Sequence, residues 1–480
     1  MIPTRTTRPD PSSAQLLLRR LPARIAAMRP IDAAEAFRDL GGLALLESAR
    51  PGRNARWTYL TADPIAVVET PAAGRDPFAV AKRLVARLDP SRPDSPEAPP
   101  FLGGLVGFLG YDLGHVLERL PSIAVDDQGL PPLRLALHDW VVAWDRRTGE
   151  AWLAGRAVDG DGRALARRLD DVHARLTTPA EAGVVTHDAH EDGRAPFTFR
   201  SGLSRKAYET GVRTVREHIA AGNIYQANLT RRLETPFRGD PWATYRRLRT
   251  GDPSLFSAFL DLGPSPETGR PRALMSASPE PFLSLDTDGL VATDPIKGTR
   301  PRGRDREEDR ALACELLGSA KDRAENVMIV DVLRNDLGRV CLPGTVRVPR
   351  LCRLERTAAV QHLVSTVTGR LAPGYDAFDL LAASFPGGSI TGAPKIRAME
   401  ILEGLEPVRR GPYTGALGWI GPDGAMQTSI LIRTFVADGR RLTLHVGGGI
   451  TWGSDPAAEW EETVAKARGP LGAIGGEEVE

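Results

Sequence analysis

Residues 414–446 read TGALGWIGPDGAMQTSILIRTFVADGRRLTLHV. Three strand-like runs occupy 414–420, 425–436 and 441–446, with the branched and aromatic residues that suit a pleated, half-buried surface. Outward from here, the C-terminal part alternates strands with longer helices. Residues 204–221 carry a helical period that Gly222 and Asn223 end, and 224–233 then reads as a strand. Two successive helices are predicted over 305–317 and 320–337. The N-terminal part holds shorter alternating runs at 43–47, 138–144 and 150–154, read as strands of an antiparallel sheet, and a helix at 164–176. Strands and helices are mixed rather than strictly βαβ, and no repeat of fixed period is visible. That pattern predicts an α+β fold.

At 480 residues the chain exceeds one ordinary domain. Pro-, Ser- and charge-rich stretches at 1–15 and 88–100 read as mobile segments. A polar run over 177–195, with His187 and His190, reads as a linker rather than a metal site. We divide the chain into a flexible tail (1–15), an N-terminal domain (16–180), a linker (181–200) and a C-terminal domain (201–472). Hydrophobic content of 41% and charged content of 26% are those of a soluble globular protein. A net charge of +1 gives no electrostatic case for nucleic acid or an acidic membrane surface. No apolar run is long enough to span a bilayer, and the N-terminus lacks the apolar core of a secretory signal. Cys314, Cys341 and Cys352 lack metal-ligand spacing and read as buried small hydrophobes in a reducing, cytoplasmic compartment.

Lysine is scarce. Of 62 basic residues only Lys82, Lys206, Lys297, Lys321, Lys395 and Lys466 are lysine, so 62 − 6 = 56 are arginine. A lysine can shed its proton and act as a nucleophile or base, or present a compact point charge; arginine does neither. Four of the six lie beyond residue 290, which favours a site there. Lys297, in the run DPIKGTRPRG at 294–303, is the most informative of them.

Acids mark two helices. Asp455 and Pro456 make a good helix start. Spacings of three and seven put Glu459, Glu462 and Lys466 on one face. Asp322 and Glu325 share a face of the 320–337 helix. Such acids are ordinarily solvated or paired with arginine. If the two pairs meet in one cavity, a cation or protons must intervene, and oxygen-only ligands select a hard ion such as Mg²⁺. The run GGSITGAPK at 387–395 precedes a helix at 396–402, and its backbone N–H groups suit a carboxylate. Gly447, Gly448 and Gly449 follow a strand and can let a ligand touch the backbone. Neither run is a dinucleotide fingerprint or a P-loop, and an isolated Gly-rich run is more often a plain turn. Arg433, a charge amid the apolar residues 430–434, reads as buried, answering an internal carboxylate or a bound one.

Taken together, these stretches resemble the chorismate-utilising enzymes. That family includes component I of anthranilate synthase and of aminodeoxychorismate synthase, with isochorismate and salicylate synthases as relatives. The resemblance rests on Ser278-Pro279-Glu280, 295–300 (PIKGTR), 321–338 (KDRAENVMIVDVLRNDLG), 385–395, 413–418 and 447–466. In the N-terminal part LLES at 45–48 and the run 103–120 add to it. It implies large antiparallel sheets packed as a β-sandwich flanked by helices, in four layers α/β/β/α. It implies Glu325 and Glu462 as Mg²⁺ ligands with Asp322 and Glu459 in support, and Glu280 as general acid. Around the substrate it places Tyr413, Arg433, Gly447, Gly448, Gly449, Lys466, Thr299 and Thr391. His362 matches a family active-site histidine, although a lone histidine among apolar residues is more often structural.

Two positions divide the family. Isochorismate and salicylate synthases carry a lysine base in the segment matching 225–231, where this chain has Gln226; this argues against water-adding members. Anthranilate synthases usually have alanine between the residues matching Ile296 and Gly298, whereas this chain has Lys297, as aminodeoxychorismate synthases do. The resemblance therefore implies amination of chorismate at C4 to 4-amino-4-deoxychorismate, for 4-aminobenzoate and folate biosynthesis. Lys297 would attack C2 as a free amine, or serve only as a cation for a substrate carboxylate. The anthranilate branch, in tryptophan biosynthesis, is the alternative; a non-catalytic tryptophan-sensing subunit is another. No cysteine has a glutaminase context, so ammonia is expected from a separate glutamine amidotransferase subunit. Leu46, Ser48 and Pro253 resemble the family's tryptophan pocket, which makes tryptophan a further expected ligand.

Overall fold

The computed structural model describes residues 15–50, 52, 55–72, 74, 76–178, 197–357 and 360–479. The tail before Gln15, most of the expected linker, and His187 and His190 lie outside the described residues. Two large sheets dominate, one of thirteen strands and one of ten. The named strands pair antiparallel, except that Gly476–Val479 runs parallel to Phe197–Ser201.

Both sheets draw strands from both halves of the chain. In the first, Ala44–Glu47 pairs with Phe256–Pro264; in the second, Gly104–Leu109 pairs with Ala416–Ile420. The expected domains 16–180 and 201–472 therefore do not correspond to separate sheets. The expected linker also runs too far, because its last residues begin the strand Phe197–Ser201.

An apolar layer joins the two sheets face to face. Tyr59, Val141 and Leu274 of the first sheet pack with Val106, Phe108, Leu417 and Trp419 of the second. Phe101 stacks on Trp419 at 5.0 Å between centroids and meets Tyr59 edge-on at 5.6 Å. Such ring pairs add about 1 kcal/mol each beyond the area they bury. The outer face of the first sheet is covered by helices that include Gly162–Thr177, Pro241–Gly251 and Pro456–Ile474. The outer face of the second is covered by Ala79–Val85, Ala320–Gly338 and Ala377–Ser384. This is the expected four-layer α/β/β/α sandwich.

Two runs read as single strands turn out to cross between the sheets. Residues 138–144 divide into Leu133–His138 of the second sheet and Trp140–Asp145 of the first. Residues 425–436 divide into Met426–Ile430 of the second and Thr434–Ala437 of the first. The second crossing turns at Arg433, whose φ is +50°. A non-glycine residue rarely adopts that conformation, and apolar patterning carries no mark of it. Arg433 is therefore exposed at a corner, not buried within a strand. Cys341 and Cys352 are buried as expected, but Cys314 is exposed on the helix Arg306–Gly318.

Candidate active site

A cavity of about 700 Å³ opens where the strands Ile296–Pro301 and Arg441–Ile450 approach the helices Ala320–Gly338 and Pro456–Ile474. Each helix start is fixed locally. Ser319 accepts the Asp322 N–H at 3.2 Å, and Asp455 accepts the Ala457 and Ala458 N–H groups at 3.1 and 2.9 Å with Pro456 in the first turn. That capping sets which faces present Asp322, Glu325, Glu459 and Glu462, and all four reach the cavity. So do Lys297, Lys321 and Lys466, half of the chain's six lysines.

Lys297 and Glu280 both line the cavity, and each feels the other's charge. The Lys297 amine donates to the Ser389 carbonyl at 3.0 Å. Burial pushes that amine below the usual lysine range, against the pull of Glu280 and Glu325. Glu280 is buried at the end of Pro271–Ser278. Burial raises its pKa, while Lys297 and a hydrogen bond from Ser389 hold it back. The two shifts converge, so a neutral amine beside a protonated carboxyl is brought closer to neutral pH. That is the state needed for nucleophile and general acid.

Three of the four helix acids have a cation beside them. Lys466 sits 2.7 Å from Glu462, Arg300 is 3.2 Å from Asp322, and Lys321 is 4.0 Å from Glu325. Burial raises Glu325 and Glu459; at Glu462 burial acts the same way, but Lys466, Lys321 and Lys297 together outweigh it and lower the group. Among the described residues no three Asp, Glu, His or Cys side chains already stand as a group that could hold a metal ion. The donor set nevertheless fits a hard divalent cation: every candidate is a carboxylate oxygen, carried on two helices facing one space. Gly448 supports this arrangement. A Cβ there would stand 3.0 Å from Glu459 Oε2, a tight contact, and 3.5 Å from Glu462 Oε1, so glycine leaves those carboxylates more room.

The remaining expected residues divide. Tyr413, Arg433, Gly447, Gly449, Thr299 and His362 line the cavity. Gly448 lies behind the acids rather than in the wall, and the Thr391 hydroxyl is turned inward, donating to the Gly387 carbonyl at 3.0 Å. His362 is paired with Thr299 at 2.9 Å, and burial lowers it to about 4. Arg433 faces Asp252 at 3.4 Å. Lys466 donates to the Gly447 carbonyl at 2.9 Å. Sequence reading gave no role to Asn228, Ser389, Lys321 or His445, which also line the space. All four stood in stretches quoted for other reasons; His445 is stacked on Tyr413 at 5.0 Å.

A second cavity, of about 370 Å³, lies between the sheets beside Leu46, Ser48, Arg56, Trp57 and Gln427. Pro253 is exposed and outside its lining.

The family model for chorismate binding enzymes matches residues 44–472. The chain belongs to that family. Its relatives include anthranilate synthase component 1 of Thermus thermophilus, 42% identical over 90% of this chain and 91% of that protein. They also include aminodeoxychorismate synthase component 1 of Escherichia coli, 41% identical over 82% of this chain and 81% of that protein. The crystal structure of anthranilate synthase component I from Streptococcus pneumoniae matches with a TM-score of 0.75 at 31% identity, over 88% of this chain and 93% of that one. Membership fixes a chorismate-utilising enzyme, and the near-equal identities do not choose between the two branches. Among the described residues no helix is long and apolar enough to cross a membrane.

Proposed function

We propose that this chorismate-utilising enzyme is component I of an aminodeoxychorismate synthase. The observation that carries the reading is the half-buried Lys297 in the acid-lined cavity, its amine held by the Ser389 carbonyl and lowered in pKa. Glu280 gives its proton to the C4 hydroxyl, which leaves as water. The Lys297 amine bonds to C2 as the ring double bond shifts, and its lost proton passes to solvent or a neighbouring carboxylate. Ammonia then bonds at C4 and gives up a proton, the lysine nitrogen takes one back, the double bond returns, and the C2–nitrogen bond breaks to free the lysine as its neutral amine. Glu325 and Glu462, with Asp322 and Glu459, would hold Mg²⁺. When bound, the ion would neutralise the ring carboxylate and the helix acids. Arg433, Lys466, Tyr413 and the backbone at Gly447 and Gly449 orient the substrate's two carboxylates.

Ammonia would come from a glutamine amidotransferase subunit, as the component 1 names of the relatives suggest, and the setting would be cytoplasmic. Tryptophan is the proposed occupant of the smaller cavity through Leu46 and Ser48. The second reading is anthranilate synthase component I, favoured by the Thermus thermophilus relative. Incubation with chorismate, Mg²⁺ and ammonium salt separates them. Aminodeoxychorismate without pyruvate supports the proposal; fluorescent anthranilate with pyruvate rejects it.

A further inference from the structure

Arg410 is 1% exposed and lies behind the cavity rather than in it. Its Nε and Nη2 donate to the two Glu406 carboxylate oxygens at 2.8 and 2.7 Å. Nη2 also donates to the Asn228 carbonyl at 2.6 Å. Nη1 donates to the Ile390 carbonyl at 3.1 Å and to Thr414 Oγ1 at 3.2 Å. A guanidinium has five N–H donors, and every one is used. The plane lies over the Tyr111 ring, 4.4 Å from its centroid, and Glu406 accepts the Thr230 N–H at 3.0 Å.

The acceptors are the point. Asn228 and Ile390 line the cavity, and Thr414 follows Tyr413, which also lines it. Ile390 adjoins Ser389, whose carbonyl receives the Lys297 amine. Thr414 is held at φ +60°, a conformation that a β-branched residue keeps only when its surroundings fix it. In so arginine-rich a chain, an arginine by itself says little; the filled fork does.

We propose that Arg410 is a positioning residue. It locks the strand at Asn228, the turn at Ser389 and Ile390, and the loop at Tyr413 and Thr414 into one frame around the Lys297 amine. Lysine cannot replace it, because three donors on a point charge cannot satisfy five acceptors spread in a plane. The inference rests on the cavity being the chorismate site.

Arg410→Lys keeps the charge opposite Glu406 and is the first test. We expect amide exchange in 388–391 and 413–415 to quicken about tenfold. We expect kcat with chorismate to fall about tenfold or more, since small misplacements are costly to reaction geometry. Chorismate Kd by calorimetry should stay within about threefold, as the cavity's charged groups are untouched. Unchanged exchange in those segments overturns the proposal. So does a kcat loss that only follows the loss of folded protein. If Arg410→Lys does not fold, Thr414→Val removes one acceptor at constant shape. It should show the same pattern at about threefold size, because one of the five contacts is lost; wild-type behaviour overturns the idea. A parent protein that binds no chorismate would defeat the substrate reading, while the exchange comparison would still decide on Arg410.

Discussion

The amine of Lys297 points at the backbone carbonyl of Ser389, 3.0 Å away. A carbonyl can accept from an amine or an ammonium, so this contact holds the side chain without fixing its charge. Lys297→Ala should lower C4 amination at least about 100-fold, or about 2.7 kcal/mol of barrier. Lys297→Arg keeps a cation that cannot deprotonate, and it should be about equally impaired. Steady-state rates of both variants check this. An active arginine variant would reduce Lys297 to a charge.

Glu280 is raised and Lys297 lowered, both by burial, and each one's charge acts on the other. The working state has a proton on Glu280 and none to spare on Lys297. Below the profile's optimum a second proton charges Lys297; above it Glu280 loses its own. The kcat profile should therefore be a bell whose limbs belong to the pair, with Glu325, Glu462 and Lys466 as charged neighbours. Glu280→Gln should cost about 10²–10⁴-fold and remove the alkaline limb. A Gln variant with an unchanged alkaline limb would assign the acid elsewhere.

Chelation with EDTA should abolish turnover, and added Mg²⁺ should restore it. Glu462→Gln should need about tenfold or more added Mg²⁺, as loss of a site's supporting carboxylate does elsewhere. Magnesium titration of turnover in both proteins measures it. Equal requirements would exclude Glu462 from the ion.

His138 is buried against Thr61 at 3.0 Å, and burial lowers its pKa to about 3. In the unfolded chain it should return to about 6.5. The unfolded state then binds the extra proton, so the stabilising contribution is intact above pH ~6.5 and fades as pH falls toward ~3. At pH 5 the loss should be about 2 kcal/mol. Denaturant melts of wild type and His138→Gln across this range check it. Parallel curves would mean that His138 does not carry the acid sensitivity.

Much of the fold was legible in local pattern. The helix expected over 320–337 is Ala320–Gly338, and that over 164–176 is Gly162–Thr177, because capping and period are local properties. The sheet crossings at Asp139 and Arg433 were not legible. An apolar run reads alike whether it stays in one sheet or changes sheets, and the left-handed turn at Arg433 leaves no mark in composition. The scarcity of lysine pointed toward the cavity and found Lys297, Lys321 and Lys466 there. The pairing of Lys466 with Glu462 follows from their i, i+4 spacing on one helix face. Arg410 was hidden for a different reason: two of its acceptors are backbone carbonyls, at 228 and 390, far from it in the chain.

The most direct test is a quench of enzyme, Mg²⁺ and chorismate without ammonia, followed by peptide mapping. The account predicts a peptide carrying Lys297 heavier by chorismate less one water, and loss of that mass when ammonium is added. Full-rate amination at C4 with Lys297 never modified would contradict it.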